Sequence, residues 1–204
     1  MNDFEFSAFL VSRVCHDLVG PLGAVVNGLE VLEDERDAAL RADALKIVTM
    51  SAEQALARLQ FMRIAFGAAG SAGAELDLTE VGRLIAGLLD GSKVSLVWEA
   101  PHQNWPKDWA KLLMNAAVVA ADCLPRGGVL RIETHGEAPG FLLAATGQGA
   151  RMVEDVERAL HGEQAQPAYD ARGVQPALTH RLAKALNAGL TVSASEGQVT
   201  IAAG

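Results

Sequence analysis

Two runs of apolar residues at helical spacing, separated by four polar residues, restrict the first third of this chain to one arrangement, a pair of long antiparallel helices. Val11, Cys15, Leu18, Leu22, Val25, Leu29 and Leu32 step alternately by four and three, the spacing of a packed helix seam. A helix is therefore expected from Phe4 to about Glu33, with a turn at Asp34, Glu35, Arg36 and Asp37. The second helix, reaching about Phe66, has the seam Leu45, Val48, Ala52, Ala55, Leu59, Met62 and Phe66. Folding back with Cys15 on Ala55, Leu18 on Ala52, Leu22 on Val48 and Val25 on Leu45 keeps paired residue numbers summing to 70. That register sets His16 level with Gln54 and puts Arg58 one turn away. Ile47, Leu56, Phe61 and Ile64 fall off this seam, where one partner helix cannot cover them. Because two helices alone bury too little to offset about 1 to 2 kcal/mol of ordering entropy per residue, a homodimeric four-helix bundle is expected. The alternative is that these residues pack on the rest of the chain.

The first helix is weakened in its middle. Gly20, Pro21, Gly23 and Gly28 sit inside it, a propensity deficit of roughly 6 kcal/mol. Proline also withdraws the N–H that the Asp17 carbonyl would accept, so a bend is expected just below His16. At 100° per residue, His16 projects off the seam, and Arg13, Asp17, Gly20, Gly23 and Asn27 share its solvent side. The histidine thus stands over nearly bare backbone. Either it is an exposed histidine on a helix kinked to suit a bundle, or the bare backbone is there to be approached.

Composition removes several function classes. With 25 acidic against 17 basic residues and a pI near 5.1, the chain lacks the basic face that nucleic acid requires. Cys15 and Cys123 read as small buried hydrophobes and imply no disulfide. The start, MNDFEFSAFL, does not read as a secretion signal. The apolar run from Leu112 to Leu124 is too short and too interrupted for a membrane span, so a cytoplasmic protein is expected. The other histidines, His102, His135, His161 and His180, fall in separate elements without metal-ligand spacing.

Residues Gly67 to Glu75, GAAGSAGAE, read as a linker, dividing a hairpin domain of residues 1–70 from a second domain of residues 75–204. In the latter, helices are expected at Leu76–Leu89, Pro106–Leu124, Met152–Leu160 and Pro176–Leu186. Strands are expected at Val94–Trp98, Val129–Thr134, Phe141–Ala145, Leu190–Ser195 and Gln198–Ala202. The fold class is α+β, with the second part an α/β sandwich whose helices cover one face of a sheet.

HDLVGPL, from His16 to Leu22, resembles the H-box of the dimerisation and phosphotransfer domain of bacterial histidine kinases. His16, Asp17, Pro21 and Leu22 fit the pattern. Gly20 departs, standing where many kinases hold the Thr or Asn of phosphatase chemistry. The second domain is similar in element order to the Bergerat-type ATP-binding domain of the histidine kinase, gyrase and Hsp90 superfamily, in degenerate form. Aligned on Pro125, Gly127 and Gly128, Val119 replaces the magnesium-holding Asn and Asp122 the Lys, while Asn115 matches a structural position one turn earlier. Ala145 replaces the adenine-reading acid ahead of Gly147 and Gly149, and Gln175 and Pro176 follow Gly173 where a glycine-rich lid should continue.

An H-box hairpin with only fifteen residues before His16, joined to a failed nucleotide domain, resembles the ChpT-type histidine phosphotransferase family of alphaproteobacterial phosphorelays, as does QFMRIAFGA from Gln60 to Ala68. The resemblance implies a chain without a sensing region that carries phosphate on His16 between receiver aspartates of a hybrid histidine kinase and of response regulators with CtrA-like or similar receivers. Autokinase and ATPase activity are not expected. The chain itself would bind no cofactor or metal, Mg2+ coming with each partner receiver. Asp17 would orient the imidazole, and Arg13 or Arg58 could neutralise phosphoryl oxygens or be solvated helix charges. Gly20, Gly23, Asn27 and Gln54 would border the receiver. An active kinase core and a non-catalytic scaffold are the alternatives.

Overall fold

The computed structural model describes residues 2–67, 73–134, 136, 138–163 and 173–204. Helix α1 spans Asp3–Asp34 and α2 spans Ala38–Ala65, each starting where a capping side chain satisfies the free backbone amides. The Asn2 side chain accepts from the Glu5 N–H at 2.9 Å, and the Glu5 carboxylate accepts from the Asn2 N–H at 3.0 Å, a reciprocal box. Asp37 opens α2 by accepting from Ala39 and Leu40. Arg41 closes α1 by donating to the carbonyls of Leu32 and Glu35.

The hairpin forms, but on a different face and in a different register from the seam expected. Pro21 and Gly28 are the buried residues in the middle of α1, with Val14, Leu18 and Val25 half-buried beside them, while Cys15, Leu22 and Leu29 are exposed. A Cβ on Gly28 would lie 2.5 Å from Val48 Cγ2 and 3.5 Å from the Ala44 carbonyl oxygen. Arg58 reaches Asp17, so facing residue numbers sum to between 72 and 76 rather than 70. The physical reason is approach distance: backbones come closest where side chains are smallest, and Pro21, Gly28, Ala44 and Ala55 line the contact. The larger Val11, Val19, Leu22, Val26 and Leu29 are left facing outward. Cys15 is correspondingly not the buried residue expected.

Helix α1 is also long and apolar enough to cross a membrane, with an 18-residue window of mean hydropathy 1.4. The run from Leu112 to Leu124, which drew attention in the sequence, instead forms the core helix of the second part.

Beyond the hairpin, strand β1 (Glu75–Asp77) leads into α3 (Leu78–Leu89), β2 (Val94–Glu99), β3 (Asn104–Pro106) and α4 (Lys107–Asp122). Then follow β4 (Gly128–Thr134), β5 (Phe141–Thr146), α5 (Glu154–Leu160), α6 (Val174–Leu186), β6 (Thr191–Ser195) and β7 (Gln198–Ala203). The main sheet has the order β2-β4-β5-β7-β6, with β2 and β4 parallel and the other pairs antiparallel. Leu130, Ile132, Leu143, Ala145, Val199 and Ile201 alternate inward onto the helices, and the intervening residues form a more open face. The α/β sandwich is therefore as expected. The two-stranded ribbon of β1 and β3 was not foreseen, and α3 starts two residues later than read, because Asp77 caps it by accepting from Thr79.

The hairpin is packed onto this sandwich at two places. Phe61, Met62 and Ala65 of α2 belong to the same buried cluster as α3 and α4, with Ile64 against it. Of the off-seam residues, Phe61 and Ile64 are thus covered within the chain, whereas Ile47 and Leu56 stay exposed. At the same open end of the hairpin, Phe6 of α1 packs with Val174 and Ala177, and Arg181 lies 4.0 Å over the Phe6 ring while bonding Asp3 at 3.0 Å. Of the proposed linker, residues 68–72 lie outside the described residues, and Glu75 already belongs to β1.

Candidate functional site

Arg13, His16 and Asp17 occupy positions i, i+3 and i+4 of α1, which places their side chains on one face. Asp17 is the hub. Its Oδ2 accepts from Arg13 Nε at 2.7 Å, and its Oδ1 lies 3.0 Å from His16 Nδ1. The Arg13 and Asp17 side chains are only 13% and 20% exposed, whereas the imidazole is 63% exposed. A carboxylate facing Nδ1 holds the ring proton there and leaves the Nε2 lone pair directed away from the pair. The arrangement therefore presents an oriented nitrogen nucleophile on an open surface, with the carboxylate steadied by a half-buried guanidinium.

The other site residues read from the sequence are placed differently. Arg58 Nη1 donates to the backbone carbonyl of Asp17 at 2.7 Å. That is the carbonyl Pro21 cannot serve, so this arginine supports the helix that carries the histidine. Gln54 lies by the turn after α3: a Cβ on Gly91 would be 3.3 Å from its amide nitrogen. Gly20 and Gly23 open on free space, with nothing within 4 Å of an added Cβ, and Asn27 is exposed further along the helix. The glycines of α1 thus divide into two kinds, Gly28 holding helix to helix and Gly20 and Gly23 keeping the histidine's surroundings bare.

Val119, Ala145 and Gln175, which depart from the nucleotide-binding pattern the sequence resembles, are all buried. Val119 and Ala145 are buried in the apolar core, and neither side chain can bond an adenine or hold a metal. Asn115, fully buried, donates from Nδ2 to the Ala65 carbonyl at 3.0 Å and the Lys111 carbonyl at 2.7 Å, and its Oδ1 accepts from Gln175 Nε2 at 2.6 Å. The network joins α2, α4 and α6 through one amide, so the end of the hairpin is tied to two helices of the sandwich. The signal for it was legible: an Asn inside the run from Leu112 to Ala120 must find buried partners. The surviving glycines have a backbone reason, since a Cβ on Gly127, at φ +85°, would lie 2.3 Å from the Lys93 carbonyl oxygen.

Outside these clusters, His102 Nδ1 lies 2.9 Å from Thr79 Oγ1 and His180 Nδ1 2.9 Å from the Leu160 carbonyl; His135 lies outside the described residues. No three His, Cys, Asp or Glu among the described residues are grouped to hold a metal ion. Burial pushes the Cys123 thiol up to about 12, which keeps it protonated and unreactive.

Residues 78–198 match the model of the histidine phosphotransferase C-terminal domain family. The chain is 33% identical over 205 residues to the protein phosphotransferase ChpT of Brucella abortus (strain 2308), covering 100% of this chain and 97% of that protein. A solved structure of a bacterial phosphotransferase superposes with a TM-score of 0.86 at 32% identity, covering 100% of this chain and 98% of that one.

Proposed function

Because this chain belongs to the ChpT-type histidine phosphotransferases of two-component signalling, we propose that it relays a phosphoryl group through Nε2 of His16, from a receiver aspartate of a hybrid histidine kinase to that of a response regulator, CtrA-like or similar. The observation that carries this reading is the Arg13–Asp17–His16 chain, which fixes Nδ1 and leaves Nε2 open. Nε2 attacks the phosphorus of the donor aspartyl phosphate; the N–P bond forms as the P–O bond to the donor carboxylate breaks. The second half-reaction reverses these roles on the acceptor. A phosphoramidate is reactive enough for that return. Each receiver supplies its own Mg2+ to offset phosphoryl charge, and Asp17 stabilises the imidazolium-like charge that develops in transfer.

Gly20 and Gly23 leave room for a receiver backbone beside the histidine. The outward apolar residues of the hairpin, Val11, Val19, Leu22, Val26 and Leu29 of α1 with Leu45, Ile47, Leu56 and Leu59 of α2, are covered by the hairpin of a second copy, in a cytoplasmic homodimer. An exposed apolar face of this extent favours association. Light scattering on the full chain should return twice the chain mass of 21.4 kDa; a single-chain mass would refute the four-helix bundle.

The transfer reading is tested by incubating the protein with radiolabelled ATP and Mg2+ alone, then with a phosphorylated hybrid-kinase receiver. Label should enter only from the receiver. Label from ATP alone would mean a working kinase core, and label from neither source would leave a scaffold. Burial of Val119 and Ala145, and the bonding of Asn115 to Gln175, support the expected result.

A further inference from the structure

We infer that Arg58 is a positioning residue for phosphotransfer, its guanidinium standing in for the backbone N–H that Pro21 lacks, so that Pro21 and Arg58 act as one device holding the Asp17–His16 turn. The inference rests on the reading of His16 as the phosphoryl carrier and goes beyond it.

In an unbroken α-helix the Asp17 carbonyl accepts from the N–H of residue 21. Pro21 has none, and its ring crowds that same carbonyl. Pro21 is buried, and the site of the abandoned oxygen is part-buried. From α2, 41 residues on in the sequence, Arg58 Nη1 donates to it at 2.7 Å, a charge-assisted length. Asp17 is consequently held at three atoms: its carbonyl oxygen by Arg58, Oδ2 by Arg13 and Oδ1 by His16. The two carboxylate bonds lie within α1 and move with it. Of these three bonds, the one from Arg58 refers this turn to the other helix, and thereby sets where the imidazole stands relative to the surface a receiver approaches. A shift of an ångström in a reacting group is enough to slow transfer markedly.

A direct role of Arg58 on the phosphoryl group predicts something different, and Pro21→Ala separates the two. Alanine restores the N–H and makes the guanidinium redundant as a helix support, but does nothing for a lost phosphoryl contact. The experiment measures single-turnover transfer from a phosphorylated receiver domain, with its dependence on receiver concentration, for wild type, Arg58→Met, Pro21→Ala and the double variant. It also records the imidazole 15N shifts of His16. Arg58→Met should lower the maximal rate about tenfold or more, with the half-saturating receiver concentration little changed, and should reduce the Nδ1-protonated tautomer. In the double variant both should return to within about threefold of Pro21→Ala. Equal losses in the presence and absence of Pro21 would overturn the inference and return Arg58 to the phosphoryl group. If Arg58→Met does not fold, recovery of folding, transfer and tautomer in the double variant supports the inference, and failure to recover overturns it. The outcomes also separate the two readings. A wild-type protein that takes no label contradicts the carrier role itself, whereas unchanged 15N shifts in folded Arg58→Met contradict only the positioning role.

Discussion

His16→Ala should keep its fold and its mass in solution and accept no label from a phosphorylated receiver, a loss to background. The imidazole is 63% exposed and makes a single described bond, to Asp17, so removing it deletes little packing and leaves the Arg13–Asp17 pair intact. Surface substitutions of this kind change stability by no more than about 0.5 kcal/mol. The loss is expected to be total because no other described histidine is hydrogen-bonded to a carboxylate: His102 faces Thr79, His180 faces the Leu160 carbonyl, and exposed His161 is bonded through its backbone N–H to the Glu157 carbonyl. Label retained by the variant, measured as an acid-labile, alkali-stable phosphate, would mean that the carrier is another residue.

The second large effect is structural and lies three turns further along the same helix. Gly28→Leu should lower the thermal midpoint by about 2 to 12 °C, since overpacking a tight contact costs about 1 to 3 kcal/mol and each kcal/mol moves the midpoint of a chain this size by about 2 to 4 °C. Even a Cβ at Gly28 would collide with Val48 at 2.5 Å. Gly20→Ala and Gly23→Ala should do the opposite, raising the midpoint by about 2 to 4 °C each through about 1 kcal/mol of helix propensity, because both positions are open. Gly23→Glu should likewise stay folded, yet slow transfer by obstructing the receiver. Calorimetry on the three glycine positions decides the structural part. A stable Gly28→Leu, or a destabilised Gly20→Ala, would show that the hairpin does not pack as described.

These two predictions also mark what could be read from the sequence. The hairpin helices were legible because their apolar residues repeat at steps of three and four, whereas helix starts are set by caps the spacing does not mark, as Asn2, Asp37 and Asp77 do for helices that begin at the next residue. The strands from Val94 to Ala203 were legible because one face of the sheet is buried and the other is open, which writes period two into the chain. The hairpin register was not legible. The apolar spacing selected Cys15, Leu22 and Leu29, but the chain buries Pro21, Gly28 and Ala44, with Gly28 facing Val48, and leaves these larger residues outside. The three-residue β1 and β3 carry too few alternations to announce themselves.

The site was legible in part. Its histidine, and the carbonyl that Pro21 would orphan, follow from HDLVGPL alone. That Arg58 serves this carbonyl depends on a register the sequence misassigned, and that Gln54 turns toward Gly91 depends on how the hairpin meets the sandwich. The positions that depart from the nucleotide-binding pattern the sequence resembles show the same division. The replacements at Val119, Ala145 and Gln175 could be read directly, but not their consequence, in which Asn115 and Gln175 bond each other and the end of α2.

The central claim, that Asp17 holds Nδ1 so that Nε2 of His16 carries the phosphate, is tested most directly by locating the phosphoryl group. Protein labelled from a phosphorylated receiver and trapped under alkaline conditions should show, by 31P and 15N NMR, one phosphohistidine at His16 with the N–P bond to Nε2 and the proton on Nδ1. Phosphate on Nδ1, or on any other residue, would contradict the account.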